Sequence, residues 1–314
     1  MSHVISIVIV NWNSGRLLER CVRSLLEHAA RCEVVVVDNA SEDFSLDFAR
    51  KVNAPLSLIR NPENLSFAAA NNIGWRRSAG DPVLFLNPDT ESTPGALTRL
   101  AQTLNEDSCA WAAGGKLVSP SGRRQAGFDV RAFPTVGSVA AEMFLLDEIW
   151  PRNPWSRRYL WLDGNPESLA EVDQPAAACL MVRRPALERL NGFDQNFYPA
   201  WFEDVDLCRR IRDRGGRILY QPQAEFLHHG GSSLKHLARE EFLRYFHANE
   251  IRYFRKHHGR EEADRIRKLI CKGLYLRAAL SLIRPLVFGA TRKSSARTFW
   301  RAARYFSGGI PEIS

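Results

Sequence analysis

Three acidic residues stand close together in the segment FEDVDLCRR. Glu203, Asp204 and Asp206 come just before Leu207 and Ile211, two apolar residues at helical spacing, so the pattern predicts the start of an amphipathic helix. Carboxylates at a helix start accept hydrogen bonds from free N–H groups and favour the positive end of the helix dipole. A carboxylate is also the kind of side chain that an enzyme uses as a general base. The segment alone leaves helix capping and proton transfer both open.

The composition of the 314-residue chain, 45% hydrophobic and 25% charged, is typical of a folded globular protein rather than a disordered one. Six cysteines without a C-x-x-C pair argue against a zinc site or a disulfide framework and indicate a reducing compartment. The first ten residues lack a basic region and a cleavage site, so we interpret them as a strand and not a signal peptide. No apolar run reaches the 18 or so residues that span a bilayer.

The net charge of +8 is concentrated in the tail. Residues 239–314 contain 17 Lys and Arg against 7 Asp and Glu, a local charge of +10, which leaves about −2 on residues 1–238. A nucleic-acid-binding protein is more evenly basic, so we expect no nucleic-acid partner.

Strand and helix patterns alternate through the first 118 residues. Continuous apolar, β-branched runs are typical of strands buried on both faces, and amphipathic segments between them predict helices. The predicted strands are residues 5–10, 33–38, 56–60, 81–86 and 111–118, and the predicted helices are residues 16–29, 67–78 and 95–107. This order indicates parallel βαβ units.

Polar residues follow the carboxyl end of four predicted strands: Asn11, Asp38, residues 61–64 and residues 87–89. Ligands bind at that edge of open α/β sheets. Asn, Asp and Pro also end strands simply because they form turns, but four such loops on one edge favour a pocket. No G-x-G-x-x-G follows the first strand, which gives little support to a Rossmann dinucleotide site.

The segment 119–170 is rich in Arg, Pro and Trp, and only residues 136–150 have a possible helical pattern. Interleaved aromatic and basic residues can stack on sugars and hold phosphates, although a loosely packed insertion has the same composition. Residues 172–183 are predicted to form one core strand, and the chain from Arg239 onward is predicted to be helical.

Six blocks occur in a fixed order: IVIVNWNSG, VVVVDNASED, NPENLSFAAANNIG, LFLNPDTES, NGFDQNFYPAWFEDVDLCRR and HHGGSS. Together they resemble the GT-A fold family 2 glycosyltransferases, and most closely their rhamnosyltransferase-type branch in bacterial surface polysaccharide synthesis. The resemblance covers roughly residues 4–233. It implies an α/β fold, a mixed and mostly parallel sheet flanked by helices, with a basic helical C-terminal extension. The catalytic domain is expected at 1–238, with a nucleotide-sugar half at 1–118 and an acceptor half at 119–238, followed by the extension at 239–314.

The resemblance also implies roles for the residues at the sheet edge. Asp38 matches a carboxylate that pairs with the N3–H of a pyrimidine base. Asn64 and Asn72 lie in the block that lines the nucleotide and holds the next loop, and Asn11 ends the first strand beside them.

Asn87-Pro88-Asp89 stands where the family has a D-x-D motif, whose last Asp binds a divalent ion. With Asn87 in the first position one charge is missing, which favours metal binding through Asp89 with His228 and phosphate oxygens. Mg²⁺ keeps few protein ligands beside phosphate, and Mn²⁺ accepts a His ligand equally well. Without the resemblance, Asn-Pro-Asp would be interpreted as a turn and His228 as a structural residue.

Glu203 and Asp204 match the family's acidic pair before the acceptor-site helix, and Asp204 matches the general base. An inverting transfer needs a base, because the acceptor hydroxyl must lose its proton as it attacks the anomeric carbon. The sequence departs from the pattern at Ser66, where many relatives have Gly, and at Gln174 and Ala177, where an aromatic residue and Gly are common. The resemblance places these last two positions near the acceptor or sugar pocket.

The resemblance therefore implies an inverting, metal-dependent transfer of L-rhamnose from dTDP-L-rhamnose to a polyprenyl-diphosphate-linked saccharide or polysaccharide. Alternatives are another donor, such as a UDP-hexose or UDP-galactofuranose, and a non-catalytic glycan- or nucleotide-binding module. Apolar residues at 266–288, mixed with Lys and Arg, favour a helix lying on an anionic membrane surface, which places the protein on the inner face of the cytoplasmic membrane. The same helices can also pack on the catalytic domain or pair in a homo-oligomer.

Overall fold

The computed structural model describes residues 4–28, 32–50, 56–230, 237–288 and 296–309. These residues form two compact units. The first unit comprises Met1–Phe133, Leu160–Pro199 and Glu203–Ser233, and the second comprises Pro134–Tyr159, Ala200–Phe202 and Leu234–Ser314. The second unit thus includes residues 134–159, which we had predicted to belong to the acceptor half. The boundary at residue 238 stays a prediction.

In the described part of the chain, all strands belong to the first unit. The five strands predicted in residues 1–118 are found to within a few residues of their predicted bounds, whereas the short strand Thr90–Ser92 was not predicted. The strands of this unit are β1 (Ile5–Asn11), β2 (Cys32–Asp38), β3 (Leu56–Arg60), β4 (Val83–Leu86), β5 (Thr90–Ser92), β6 (Ala110–Val118), β7 (Val130–Arg131), β8 (Ala170–Glu171), β9 (Gln174–Pro175), β10 (Cys179–Val182) and β11 (Arg217–His228).

The helices divide between the units. Those of the first unit are α1 (Arg16–His28), α2 (Phe67–Arg77), α3 (Ala96–Glu106), α7 (Arg184–Leu190) and α8 (Glu203–Asp213). Those of the second are α4 (Val136–Met143), α5 (Leu146–Ile149), α6 (Pro154–Tyr159), α9 (Arg239–His258), α10 (Arg260–Phe288) and α11 (Ala296–Ser307). The helical pattern expected at 136–150 and after Arg239 is confirmed.

In the described part of the chain, nine strands form one sheet in the order β3-β2-β1-β4-β10-β6-β11-β5, with β8 also paired to β11. The pairs β1–β2, β2–β3, β1–β4 and β6–β11 are parallel. β10 runs antiparallel to both β4 and β6. The predicted α/β fold with a mixed sheet flanked by helices is confirmed.

The β-branched strands are buried because helices cover both faces of the sheet. Ile7 and Ile9 share a core with Leu18 of α1, whereas Val10 shares a core with Ala70 of α2. Successive residues of a strand point to opposite faces, so a run without polar interruption is what burial on both faces requires. The carboxyl ends of β1, β2 and β4 are thereby fixed side by side.

The prediction of one strand at residues 172–183 is wrong. Gln174 and Pro175 form β9, which pairs with β7 in a separate two-stranded ribbon, and the chain then turns before β10 begins at Cys179. Pro175 has no backbone N–H, so it cannot contribute a donor to a continuous central strand.

The second unit consists of helices that pack around an aromatic core. Trp201 contacts Phe242 and Phe246 of α9, and Phe202 contacts Phe246 and Tyr253. Within the described residues, no helix is sufficiently long and apolar to cross a membrane.

Candidate active site

The carboxyl ends of β1 and β2 bring Asn11 and Asp38 together, since the two residues are paired in the parallel register. The Nδ2 of Asn11 donates to Oδ1 of Asp38 at 2.8 Å and lies 2.9 Å from Oγ of Ser41 and 2.8 Å from Oγ of Ser45. Asn11 is fully buried and Asp38 nearly so. Asn11 therefore orients the Asp38 carboxylate at this edge.

The loops after β2 and β3 are joined by Asn39, a buried residue that sequence patterns did not single out. Its Nδ2 donates to Oδ1 of Asn64 at 2.7 Å, and its Oδ1 accepts from Nδ2 of Asn61 at 3.0 Å and from the N–H of Leu65 at 3.1 Å. These bonds hold Asn64 at the sheet edge. Asn39 follows Asp38, the residue that matches the family's base-pairing carboxylate, and this neighbouring position is a weak sequence signal that could have identified it.

Asn72 is used within the fold itself. Its Nδ2 donates to the carbonyl of Phe193 at 2.8 Å, and its Oδ1 accepts from the N–H of Phe193 at 2.9 Å and from Nε1 of Trp75 at 3.0 Å. Asn72 thus holds the loop that contains Phe193. Its contact with a nucleotide stays a prediction.

Ser66, at the position where many relatives carry Gly, has a φ of 102°. Such a positive φ is the region that Gly adopts without strain. The hydroxyl of Ser66 accepts from the N–H of Ala69 at 3.2 Å and so caps the start of α2. This cap is a contact that Gly cannot supply.

Asp89 and His228 meet at the ends of β4 and β11, with Nε2 of His228 3.4 Å from Oδ1 of Asp89. The other ring nitrogen, Nδ1, lies 2.7 Å from Oε1 of Gln125, while Nε2 of Gln125 donates to the His228 carbonyl at 2.8 Å. This second bond fixes which atom of the Gln125 amide is the oxygen. Nδ1 of His228 must then be the donor, and in the neutral ring Nε2 presents its lone pair to Asp89.

A protonated ring would itself donate from Nε2 to Asp89, whereas with the neutral ring the two facing acceptor atoms suit a cation between or beside them. Ligands at neighbouring positions of an octahedral ion, each about 2.1 Å from the metal, lie about 3 Å apart, which is close to the observed 3.4 Å. A metal-ligating His also characteristically donates its other N–H to an acceptor, as His228 does to Gln125. The Asp89–His228 pair therefore fits a divalent ion.

The pair supplies only two protein ligands. Among the residues that the structure describes, no group of three or more His, Cys, Asp or Glu is placed to hold a metal ion. The half-buried Asn87 precedes Asp89 in the same turn. The remaining coordination positions would have to come from phosphate oxygens and water, as for Mg²⁺ in many phosphate sites. His229 instead contacts Glu91 at 2.6 Å.

The three acids at the start of α8 have three different environments. Asp204 is partly buried, and its Oδ2 accepts from the N–H of Ala177 and from Nε2 of Gln174, both at 3.1 Å. Burial raises the pKa of Asp204, while the N–H groups of Ala177 and Val205 and the charge of Arg131 oppose that rise. A carboxylate held in place with a raised pKa is a stronger proton acceptor than an exposed one.

Glu203 is 4% exposed, and its Oε2 has no hydrogen-bond partner among the described residues. Burial raises the pKa of Glu203 well above its usual range, and the neighbouring charges of Asp204 and Asp206 add to the rise. Glu203 is thus held in its protonated form over a wider pH range than an exposed Glu.

Asp206 is fully buried and forms an ion pair with Arg210 one helical turn later, at 2.7 Å. Arg210 also donates to the carbonyls of Leu190 and Gly192. Asp206 therefore anchors α8 to the preceding loop, which is a structural role. The carboxylate of Asp204 has no such ion pair with Arg210.

A short turn between β9 and β10 links the two acidic sites. The N–H of Ala177 donates to Asp204, and the carbonyl of the next residue, Ala178, accepts from the N–H of Asn87 at 3.2 Å. Asp204 and the Asn87–Asp89 turn are thus bonded to successive residues of the same segment.

Four further residues complete these sites and were not predicted to do so. Gln125 and Phe128 come from the segment 119–170, and the ring of Phe128 stacks on His228 with centroids 5.0 Å apart. Gln174 and Ala177 were noted only as departures from a family pattern, and both bind Asp204. No local signal marks Gln125, because its partner is 103 residues away in the sequence.

Comparisons with known proteins identify relatives of this chain by sequence and by fold. The profile of the family described as glycosyl transferase family 2 matches residues 6–188. The N-acetylglucosaminyl-diphospho-decaprenol L-rhamnosyltransferase of Mycobacterium tuberculosis aligns over 251 residues with 31% identity, and the match covers 74% of this chain and 78% of that protein. The O-antigen biosynthesis protein RfbC of Myxococcus xanthus is 29% identical over 237 residues, 73% of this chain and 17% of that protein.

Solved structures share the fold at low sequence identity. The mannosyltransferase PcManGT of Pyrobaculum calidifontis, in complex with GDP-Man and Mn²⁺, superposes with a TM-score of 0.58 and 16% identity over 98% of this chain and 86% of that one. GalNAc-T7 with UDP, GalNAc and Mn²⁺ gives a TM-score of 0.58 and 18% identity over 80% of this chain and 47% of that one.

Proposed function

The chain belongs to glycosyltransferase family 2, and we propose that within this family it is an inverting, metal-dependent rhamnosyltransferase. The donor is dTDP-L-rhamnose and the acceptor is a polyprenyl-diphosphate-linked saccharide. The observation that carries the sugar and the acceptor class is the similarity to the decaprenol-linked rhamnosyltransferase, which extends over 251 residues.

Asp204 is the general base in this proposal. The acceptor hydroxyl attacks the anomeric carbon, its proton passes to Asp204, and the bond from that carbon to the nucleoside diphosphate breaks. The hydrogen bonds from Gln174 and Ala177 hold the carboxylate in one orientation, which favours transfer because the base must lie within hydrogen-bond reach of the hydroxyl. Glu203, which is buried next to Asp204, is the second acidic residue of the catalytic site in this proposal.

Asp89 and His228 would hold a Mg²⁺ or Mn²⁺ ion, which when bound stabilises the charge that builds on the leaving diphosphate. Gln125 keeps the Nε2 lone pair of His228 directed at Asp89. At the other end of the pocket, Asp38 accepts a hydrogen bond from the pyrimidine base, and Asn11 orients it. Asn64, Asn72 and Asn87 complete the nucleotide-sugar site.

We also propose that the protein acts at the inner face of the cytoplasmic membrane, where a lipid-linked acceptor is presented. The tail of residues 239–314 supplies basic charge there. Within α10, Ile266, Ile270 and Leu274 are buried in their own unit, so only part of the predicted apolar stripe is available for contact with lipid or with a second copy. Ile283 lies outside the residues whose side chains are described.

The test is a panel of nucleotide sugars incubated with the protein and Mg²⁺ or Mn²⁺, in which release of nucleoside diphosphate is measured. We expect dTDP-L-rhamnose to give the fastest release and chelation to abolish it. Faster release from a UDP-sugar would replace the donor, and no release from any donor with a lipid-linked acceptor present would favour a non-catalytic binding module.

A further inference from the structure

The second unit exposes large apolar side chains at the segment Leu146–Tyr159, which contains α5, α6 and the loop between them and is here called the α5–α6 tip. Ile149 is 79% exposed, Trp150 52% and Trp155 46%. Single exposed apolar residues are ordinary, but three within seven positions on one segment are typical of an interaction surface.

The tip is held in shape by hydrogen bonds. Asn153 is fully buried, and its Nδ2 donates to the carbonyl of Trp150 and to Oγ of Ser156, each at 3.0 Å. Its Oδ1 accepts from the N–H of Ser156 at 2.8 Å. Trp155 lies against Gly137 of α4, where an added Cβ would come within 2.3 Å of the indole. The fold therefore fixes the segment while leaving its large apolar side chains in water.

Basic residues alternate with these apolar ones. Arg152, Arg157 and Arg158 are exposed, and no acidic residue occurs from Ile149 to Tyr159, although Asp147 and Glu148 precede them. An indole prefers the boundary between hydrocarbon and water, and a guanidinium pairs with phosphate. Isoleucine and tryptophan interleaved with arginine thus match the chemistry of an anionic phospholipid headgroup layer.

The middle of α10 contacts the residues just before the tip, within the same unit. Gly273 of α10 lies against Met143, three residues before the tip, and Arg277 donates to the carbonyl of Glu142. Beyond that contact, α10 has three exposed leucines, Leu276, Leu280 and Leu282. The same unit thus exposes a second group of large apolar side chains.

We propose that the α5–α6 tip inserts into the headgroup layer of an anionic phospholipid bilayer. The inference deepens the proposed function, on which it rests for its biological role, by placing membrane contact on residues 146–159 in addition to the basic tail. The apolar side chains enter the acyl boundary and the arginines bind lipid phosphates. The binding itself requires neither donor nor acceptor.

The experiment is co-sedimentation of the full chain with vesicles of phosphatidylcholine containing phosphatidylglycerol, compared with phosphatidylcholine alone. We expect binding to the anionic vesicles to fall about tenfold or more in the double variant Ile149→Ser/Trp150→Ser, because each buried apolar side chain contributes to partitioning. Arg152→Gln/Arg158→Gln should weaken binding and reduce its salt dependence. The matched control is Leu169→Ser, which removes a large apolar residue that is 53% exposed in the first unit, outside both the tip and the basic tail.

Three results would overturn the proposal: the double variant binds anionic vesicles as well as the wild type, the wild type does not bind them, or Leu169→Ser loses as much binding as the double variant. Light scattering of each variant provides a second measurement: a dimer that the double variant converts to a monomer, with lipid binding unchanged, would assign the tip to a second copy. Circular dichroism establishes that each variant is folded. Donor turnover with a water-soluble acceptor is measured separately, so loss of the proposed function and loss of membrane binding are distinguishable.

Discussion

Two acidic sites lie in the first unit, and their partners give them different chemistry. At Asp89 the carboxylate faces an imidazole nitrogen whose proton is on the far side of the ring, which is an arrangement for a cation. At the start of α8, Asp204 accepts hydrogen bonds from Gln174 and Ala177, Asp206 forms an ion pair with Arg210, and Oε2 of Glu203 has no hydrogen-bond partner among the described residues. The comparison teaches that residue type alone does not assign a role; the partner atoms do.

The strongest test of this contrast is Asp204→Asn. The amide oxygen can still accept from Gln174 and Ala177, but it cannot take the acceptor's proton, so we expect turnover to fall roughly 10³-fold with donor affinity unchanged. Nucleoside diphosphate release and donor binding are measured on the same preparation. Asp213→Asn, at the exposed end of the same helix, is the control and should keep wild-type turnover. Retained turnover in Asp204→Asn would remove Asp204 as the base.

Asp206→Asn tests the structural side of the same helix. Arg210 would keep its carbonyl partners but lose its buried counter-charge, so we expect the free energy of unfolding to drop by about 3 kcal/mol. Chemical denaturation measures the change. Asp213→Asn breaks an exposed i,i+4 pair with Arg209 and should cost less than about 1 kcal/mol. Equal losses in the two variants would contradict the distinction between a buried and an exposed pair.

Gln125→Leu tests whether the Asp89–His228 site binds a cation. Without the Oε1 acceptor the imidazole is no longer held with its Nε2 lone pair towards Asp89, and loss of such a partner typically weakens metal binding about tenfold or more. Mn²⁺ binding in the presence of nucleoside diphosphate is measured by titration. The control is Gln223→Leu, an exposed position on the same strand as His228. An unchanged affinity would place the ion elsewhere.

Glu203→Gln has the smallest expected effect and tests whether folding raises the pKa of Glu203. The pKa of Glu203 is raised in the folded state, so the folded protein binds this proton more tightly than the unfolded chain. The stability that Glu203 contributes is therefore present below its unfolded pKa of about 4.5 and is lost as pH rises through the folded pKa.

The melting temperature of the wild type should consequently fall relative to that of Glu203→Gln as the pH is raised above about 4.5. The Gln side chain has no charge to bury, which is the physical reason for the trend. A difference in melting temperature that is constant with pH would show that Glu203 does not titrate differently on folding.

Local patterns were sufficient for much of the first unit. The apolar runs that became β1, β2 and β4, and the polar loops that follow them, were predictable because a strand buried on both faces must be continuously apolar and must end in turn residues. The position of Asp204 at a helix start followed from helical spacing in the same way. Asp89 and His228 were singled out through family resemblance, and the structure places them 3.4 Å apart.

Other features depend on contacts between distant parts of the chain. Gln125 meets His228 across 103 positions and Asn72 meets Phe193 across 121, and neither pair leaves a local periodicity. The strand predicted at 172–183 is divided because β9 pairs with β7, which frees the N–H of Ala177 for Asp204. Periodicity reports which face of an element is buried, whereas hydrogen-bond partners depend on sheet order and loop packing. Only the folded chain therefore decides which acid faces an imidazole and which accepts bonds from N–H groups.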